Sequence, residues 1–175
     1  MTRRGAPLLL PLVLLSLALG GCSLTPLYAG GTHGAVAHGL ADVKIAPIEG
    51  RAGWLVHNAL AQRLDALNGG TSQRYRLIVT LDDDITGYGV RRDNAVTRER
   101  RTLRARYQLT DSTNGEVVLD ATASSDAGID VVSSEYATIA AEDSALERLA
   151  EMIADQIVAR LAIYARNMDA AAKTP

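Results

Sequence analysis

Between residues 96 and 109 two series of side chains alternate in opposite phase. Leu103, Ala105, Tyr107 and Leu109 occupy one set of positions, and Arg98, Arg100, Arg104 and Arg106 occupy the other. Successive side chains of a β-strand point to opposite faces of its sheet, so this stretch fits a strand with one apolar and one cationic surface. The chain must therefore build a sheet covered on one side only, and other segments must supply an apolar cover.

Two stretches have the spacing to provide it. In residues 52–67, Val56, Leu60, Leu64 and Leu67 recur on one helical stripe, with His57, Gln62, Arg63 and Asp65 off it and Asn68-Gly69-Gly70 as a C-terminal stop. Trp54 is read as a core residue. In residues 140–165 a longer stripe is formed by Leu146, Leu149, Ala150, Ile153, Ile157, Leu161 and Tyr164, while Glu142, Glu147, Arg148, Glu151 and Asp155 lie largely away from it. At 1.5 Å per residue this helix is about 40 Å long, comparable with the central strands.

Three more strands complete the sheet. Residues 43–48 form a short one that Pro47 confines to an end or an edge. In residues 75–87, Tyr75, Leu77, Val79 and Leu81 alternate with Arg76, Ile78, Thr80 and Asp82. Residues 116–124 follow the arginine strand through a turn at Asp111-Ser112-Thr113-Asn114-Gly115. Residues 88–95 read as a loop carrying Arg91, Arg92 and Asp93, and residues 126–134 as irregular, with Gly128 as a breaker. The order β-α-β-β-β-α predicts an α+β fold with two helices packed on one face of a mixed four-stranded sheet.

The amino terminus reads as an address. Arg3 and Arg4 precede an apolar run from Leu8 that closes on Leu19-Gly20-Gly21-Cys22, a secretory signal too short to span a membrane. The chain's one cysteine stands directly after the small residues, and this arrangement resembles the bacterial lipobox. That resemblance implies cleavage before Cys22, lipid attachment to its thiol and acylation of the new amino terminus, an anchor that needs no membrane span. Ser23 stands where an Asp marks inner-membrane retention in such lipoproteins, so the expected address is the periplasmic side of the outer membrane. The expected organisation is a cleaved signal peptide at residues 1–21, a lipidated tether at 22–39, one α+β domain at 40–166 and a flexible tail at 167–175.

The 18 basic and 20 acidic residues give a net charge of −2, and loss of Arg3 and Arg4 with the signal leaves about −4. A nucleic-acid binder would show a basic balance. His33 and His38 sit in the tether without carboxylate or thiol neighbours. The triplet Asp82-Asp83-Asp84 lies on a strand, where adjacent carboxylates point to opposite faces and fail the calcium-loop spacing. There is no glycine-rich phosphate loop after a strand. No catalytic residue, metal or cofactor is expected, and the pattern reads as a binding and assembly module. The cationic side of the sheet carries Arg98, Arg100, Arg104 and Arg106, with Arg91 and Arg92 in the loop before them. A guanidinium binds phosphate or carboxylate through a rigid fork. The same arginines are equally suited to pairing with Glu99, Asp82, Asp84 or Asp120 on adjacent strands.

Taken in order, the lipobox with Pro26-Leu27-Tyr28 after it, Tyr75-Arg76-Leu77, Arg91 and Asp93 before Arg98, the run from Leu103 to the Asn114-Gly115 turn, Ser134-Glu135-Tyr136-Ala137, Ala141-Glu142 and Ala145, and the final helix resemble the LptE family of lipopolysaccharide-assembly lipoproteins, in its alphaproteobacterial form. The resemblance covers nearly all of residues 22–166. Ser23 and Leu24 stand where that family commonly has Gly and an aromatic residue. The resemblance implies a protein that plugs the β-barrel of an LptD-like outer-membrane translocon, assists its assembly and binds lipopolysaccharide on its way to the cell surface. Arg91, Arg92, Arg98, Arg100, Arg104 and Arg106 would then meet lipid A phosphates or barrel carboxylates. A lipoprotein subunit of an inner-membrane ABC-type lipid transport system is the alternative, since it would use a similar anchor and a small α+β domain.

Overall fold

The computed structural model describes residues 35–65, 73–90 and 96–173. Along these the chain forms α1 (Ala35–Ala41), β1 (Val43–Ile45), α2 (Gly50–Asp65), β2 (Tyr75–Val90), β3 (Val96–Asp111), β4 (Val117–Asp130) and α3 (Glu135–Ala172). The strands lie in the order β1-β2-β3-β4, with β1 parallel to β2 and the other pairs antiparallel. This is the mixed four-stranded α+β sheet that the alternation demands. The signal, Cys22, the tether to residue 34, the Asn68-Gly69-Gly70 stop, Arg91 and Arg92 lie outside the described residues.

One core joins the helices to one side of the sheet. From β2 and β3 come Leu77, Val79, Leu103, Ala105, Tyr107 and Leu109, all buried, and the register sets Leu77 opposite Leu109 and Val79 opposite Tyr107. Helix α2 contributes Val56, Ala59, Leu60 and Leu64, and α3 contributes Leu146, Leu149, Ile153, Ile157 and Leu161. These recur every three or four residues, so one narrow stripe of each helix meets the sheet. Burying a Leu or Ile side chain contributes about 1.5–3 kcal/mol. Trp54 does not join them. It is 63% exposed, because the α2 stripe through Val56, Leu60 and Leu64 faces the sheet and position 54 points well round the helix.

Both long elements exceed their sequence-based limits. Strand β4 runs on to Asp130, and Gly128 sits opposite Arg100 within the ladder. Backbone pairing along the length of β3 outweighs the weak strand preference of one glycine. Helix α3 is 38 residues long, about 57 Å at 1.5 Å per residue. It starts at Ser134, whose hydroxyl oxygen accepts from the Ala137 N–H at 3.4 Å, and stays helical beyond residue 166 to Ala172. The hydrophobic stripe alone marks only the part of this helix that touches the sheet.

Residues 35–39, which composition assigns to the tether, belong to α1 instead. Ala37 and Leu40 are each 1% exposed, and α1 rests against the C-terminal part of α3. Gly39 makes this approach possible, since a Cβ there would sit 2.7 Å from the Ala165 Cβ. Tertiary contact, and not a periodic pattern of its own, holds this helix.

Replacing Ile153 with Ala removes a fully buried side chain at the centre of α3 and leaves a cavity under β3. The expected loss is about 2–5 kcal/mol of unfolding free energy with the urea m-value unchanged, read from equilibrium denaturation.

Candidate functional site: the open face of the sheet

The side chains of β3 that alternate with the core residues emerge on a face that no helix covers among the described residues. Arg98, Arg100, Arg104 and Arg106 all lie there, exposed, as the alternation requires. Across this surface the register aligns Asp82, Arg104 and Ser124 in one row, Thr80, Arg106 and Thr122 in the next, and Tyr88, Arg98 and Asp130 near the far end.

Three of the four arginines are paired, and the pairing runs to β4. Arg98 Nε lies 3.1 Å from Asp130 Oδ1, directly opposite in the register. Arg100 Nε reaches Asp126 Oδ2 diagonally at 3.7 Å, and its guanidinium lies 5.5 Å from the centre of the Tyr88 ring. Arg106 grips Asp120 with two bonds, Nη2 to Oδ2 at 2.9 Å and Nε to Oδ1 at 3.3 Å, and Gln108 donates to the same carboxylate at 2.9 Å. The Arg106 and Gln108 donors hold the Asp120 carboxyl below its ordinary range. Of the partners suggested by sequence, Asp120 is therefore correct. Glu99 lies on the opposite face, and Asp82 and Asp84 make no ion pair with these arginines. Asp126 and Asp130 take their place, and they were hidden because the sequence ends β4 before them.

Arg104 remains. Among the described residues it has no ion pair and no hydrogen bond, and Arg76, on the same face nearer the start of β2, is also unpaired. Asp82 lies beside Arg104 in the register without closing a bridge. The open face thus carries a ladder of exposed pairs with unpaired guanidiniums on β2 and β3. Exposed pairs of this kind contribute only about 0–1 kcal/mol each, so an incoming anion displaces an aspartate at small cost.

The helix side of β3 holds a second group of charges that the alternation misses. Arg101 is out of phase with the other arginines and lies toward α3, its side chain 11% exposed. It donates from Nε and Nη2 to the two Asp83 oxygens at 2.8 and 2.6 Å, and from Nη1 to the Glu142 carbonyl at 3.0 Å. This fork fastens the sheet to the first turns of α3. A cationic residue at an apolar-phase position was the available signal. Beside it the Glu99 Oε2 is buried without a hydrogen-bond partner among the described residues. Burial, reinforced by the neighbouring Glu142 carboxylate, pushes the Glu99 carboxyl above its ordinary range. Among the described residues no group of three or more His, Cys, Asp or Glu stands together to hold a metal ion.

A carboxyl whose pKa is raised on folding favours the folded state while it is protonated, and that stabilisation is lost as pH rises through the raised value. Glu99→Gln keeps the shape and removes the charge. Thermal melts between about pH 4 and 8 are expected to show the variant gaining on the parent as pH rises above the ordinary carboxylate range, with the difference smallest at the acid end.

Among curated proteins none matches this sequence. Solved structures of lipoproteins share its fold. A lipoprotein from Caulobacter crescentus CB15 is 27% identical, with a TM-score of 0.63 over 76% of this chain and 98% of its own. Rare lipoprotein B from Shewanella oneidensis is 10% identical, with a TM-score of 0.57 over 73% of this chain and 98% of its own. A minor lipoprotein from Acinetobacter baumannii is 9% identical, with a TM-score of 0.54 over 71% of this chain and 92% of its own. The model of the lipopolysaccharide-assembly family LptE matches residues 40–161, which takes in every described strand and most of α3, and the chain belongs to that family.

Proposed function

We propose that this chain is an outer-membrane lipoprotein, anchored on the periplasmic side through lipid on Cys22, that plugs and helps assemble an LptD-like β-barrel and binds lipopolysaccharide in transit. Membership of a lipopolysaccharide-assembly family supports the process. The observation that carries the rest is the two-faced sheet, with one side sealed by helices and the other presenting charges. A water-filled barrel lumen is lined by polar side chains, and a face of exchangeable ion pairs suits that surface better than an apolar one. Among the described residues no helix is long and apolar enough to cross a membrane; the lipobox-like Leu19-Gly20-Gly21-Cys22 is what supports an anchor of lipid on Cys22.

The work is recognition, without covalent chemistry. Phosphate groups compete for guanidiniums through charge-assisted, forked hydrogen bonds. Arg104, unpaired among the described residues, can donate to a phosphate at once. Arg98, Arg100 and Arg106 exchange a carboxylate for one, and Arg91 and Arg92, which fall between β2 and β3 in the sequence, are proposed for the same ligand.

Affinity capture of the lipidated chain from detergent-solubilised envelopes tests the reading. The expected catch is a large outer-membrane β-barrel together with lipopolysaccharide. An ATPase and a permease in its place would overturn the proposal and assign the chain to an inner-membrane lipid exporter. Arg104→Glu is expected to lower lipopolysaccharide affinity at least about tenfold, from loss of a charge-assisted contact of roughly 1.5–3 kcal/mol. Arg98→Glu, which loses a guanidinium already held by Asp130, should have the smaller effect.

A further inference from the structure

The two long edges of the sheet are finished differently. On β4, Gln156 of α3 reaches round to Ser124, taking its N–H on Oε1 at 3.3 Å and donating Nε2 to its carbonyl at 3.3 Å. The side-chain amide stands in for a strand partner and closes the middle of that edge. On the other side β1 pairs with β2 only from Val43 to Ile45, against Tyr75 to Leu77. The last backbone bond there runs from the Ala46 N–H to the Leu77 carbonyl at 2.9 Å, and Pro47 follows. Among the described residues no strand lies alongside β2 beyond that point, and residues 82–89 are exposed. Gly89, at φ 76°, has no ladder partner of its own between the Tyr88 and Val90 pairs, and its left-handed backbone ends the extended run there. Among the described residues, 79–88 are left as a strand edge without a neighbouring strand on that side.

The side chains on this edge select what can join it. On the open face Asp82 has no ion pair among the described residues, and Asp84 accepts the Thr86 hydroxyl at 2.7 Å. On the helix side Leu81 is half-buried and Ile85 is 40% exposed. A second copy laid antiparallel on the same edge would set its own aspartates against these, and like charges across a strand pair oppose each other. A strand with basic residues on one side and apolar residues on the other meets neither obstacle.

We propose that residues 79–88 of β2 form a docking edge for an extended segment of a partner protein in which basic and apolar residues alternate. The segment adds a fifth strand. Its main chain satisfies the open β2 groups, its lysines or arginines meet Asp82 and Asp84, and its apolar residues extend the helix-side surface over Leu81 and Ile85. The docking edge borders the arginine face, with Asp82 directly beside Arg104, but its main-chain pairing is made along β2 and does not depend on lipopolysaccharide.

The test is amide exchange by NMR on the full chain, titrated with a capped seven-residue peptide of alternating valine and lysine. Every second amide between residues 79 and 88 is expected to gain protection. A peptide of the same sequence, N-methylated on alternate amides, should give none. The double variant Asp82→Asn, Asp84→Asn should bind the first peptide about three- to tenfold more weakly, as expected for exposed charge pairs. Equal protection by both peptides, protection on β4, or no protection at all would overturn the proposal. So would protection of the same amides by raising the protein concentration without peptide, since the occupant would then be a second copy.

Discussion

Helix α3 lies across the sheet and touches α1, α2, β3 and β4, and the other features of the molecule depend on that packing. Leu146, Leu149, Ile153, Ile157 and Leu161 are each no more than 1% exposed, and they face Leu103, Ala105, Tyr107 and Leu109 of β3. With that side filled, the odd-numbered core positions of β3 are committed and the even-numbered arginines are turned to the open face, where three of them meet aspartates of β4. The same helix supplies Gln156 to close the β4 edge and the Glu142 carbonyl that receives Arg101. Its C-terminal part gives α1 a surface to rest on. One amphipathic helix thus defines which face, which edge and which end of the sheet remain available.

Charge is then divided by depth. On the helix side Arg101 and Asp83 are partly withdrawn from water and fix the relation of sheet to helix, where loss of one partner strands the other. On the open side the pairs of Arg98, Arg100 and Arg106 are exposed and exchangeable. The same two residue types therefore serve structure on one face of β3 and recognition on the other. Phase along the strand decides which.

Much of this is legible in the sequence, because periodicity is local. The alternation of residues 96–109 fixed the direction of every arginine it named, and the α3 stripe identified its buried residues. What escaped was set by contacts distant in sequence. Asp126 and Asp130 became ladder partners only because pairing with β3 carried β4 past Gly128. Residues 35–41 are helical because Ala165 and its neighbours receive them, and Trp54 is exposed because α2 turns a different stripe toward the sheet. Arg101 was visible as a cation out of phase, but its two-bond grip on Asp83 required the register of β2 on β3.

Native-state hydrogen exchange in sub-denaturing urea measures the central packing most directly. If α3 and the sheet form one cooperative unit, the amides of residues 149–161 in α3 and 103–109 in β3 will exchange slowest and converge on a single opening free energy and m-value. Release of the α3 amides at a distinctly lower free energy, while those of β3 stay protected, would contradict this, because the sheet would then hold together without the helix that is said to organise it.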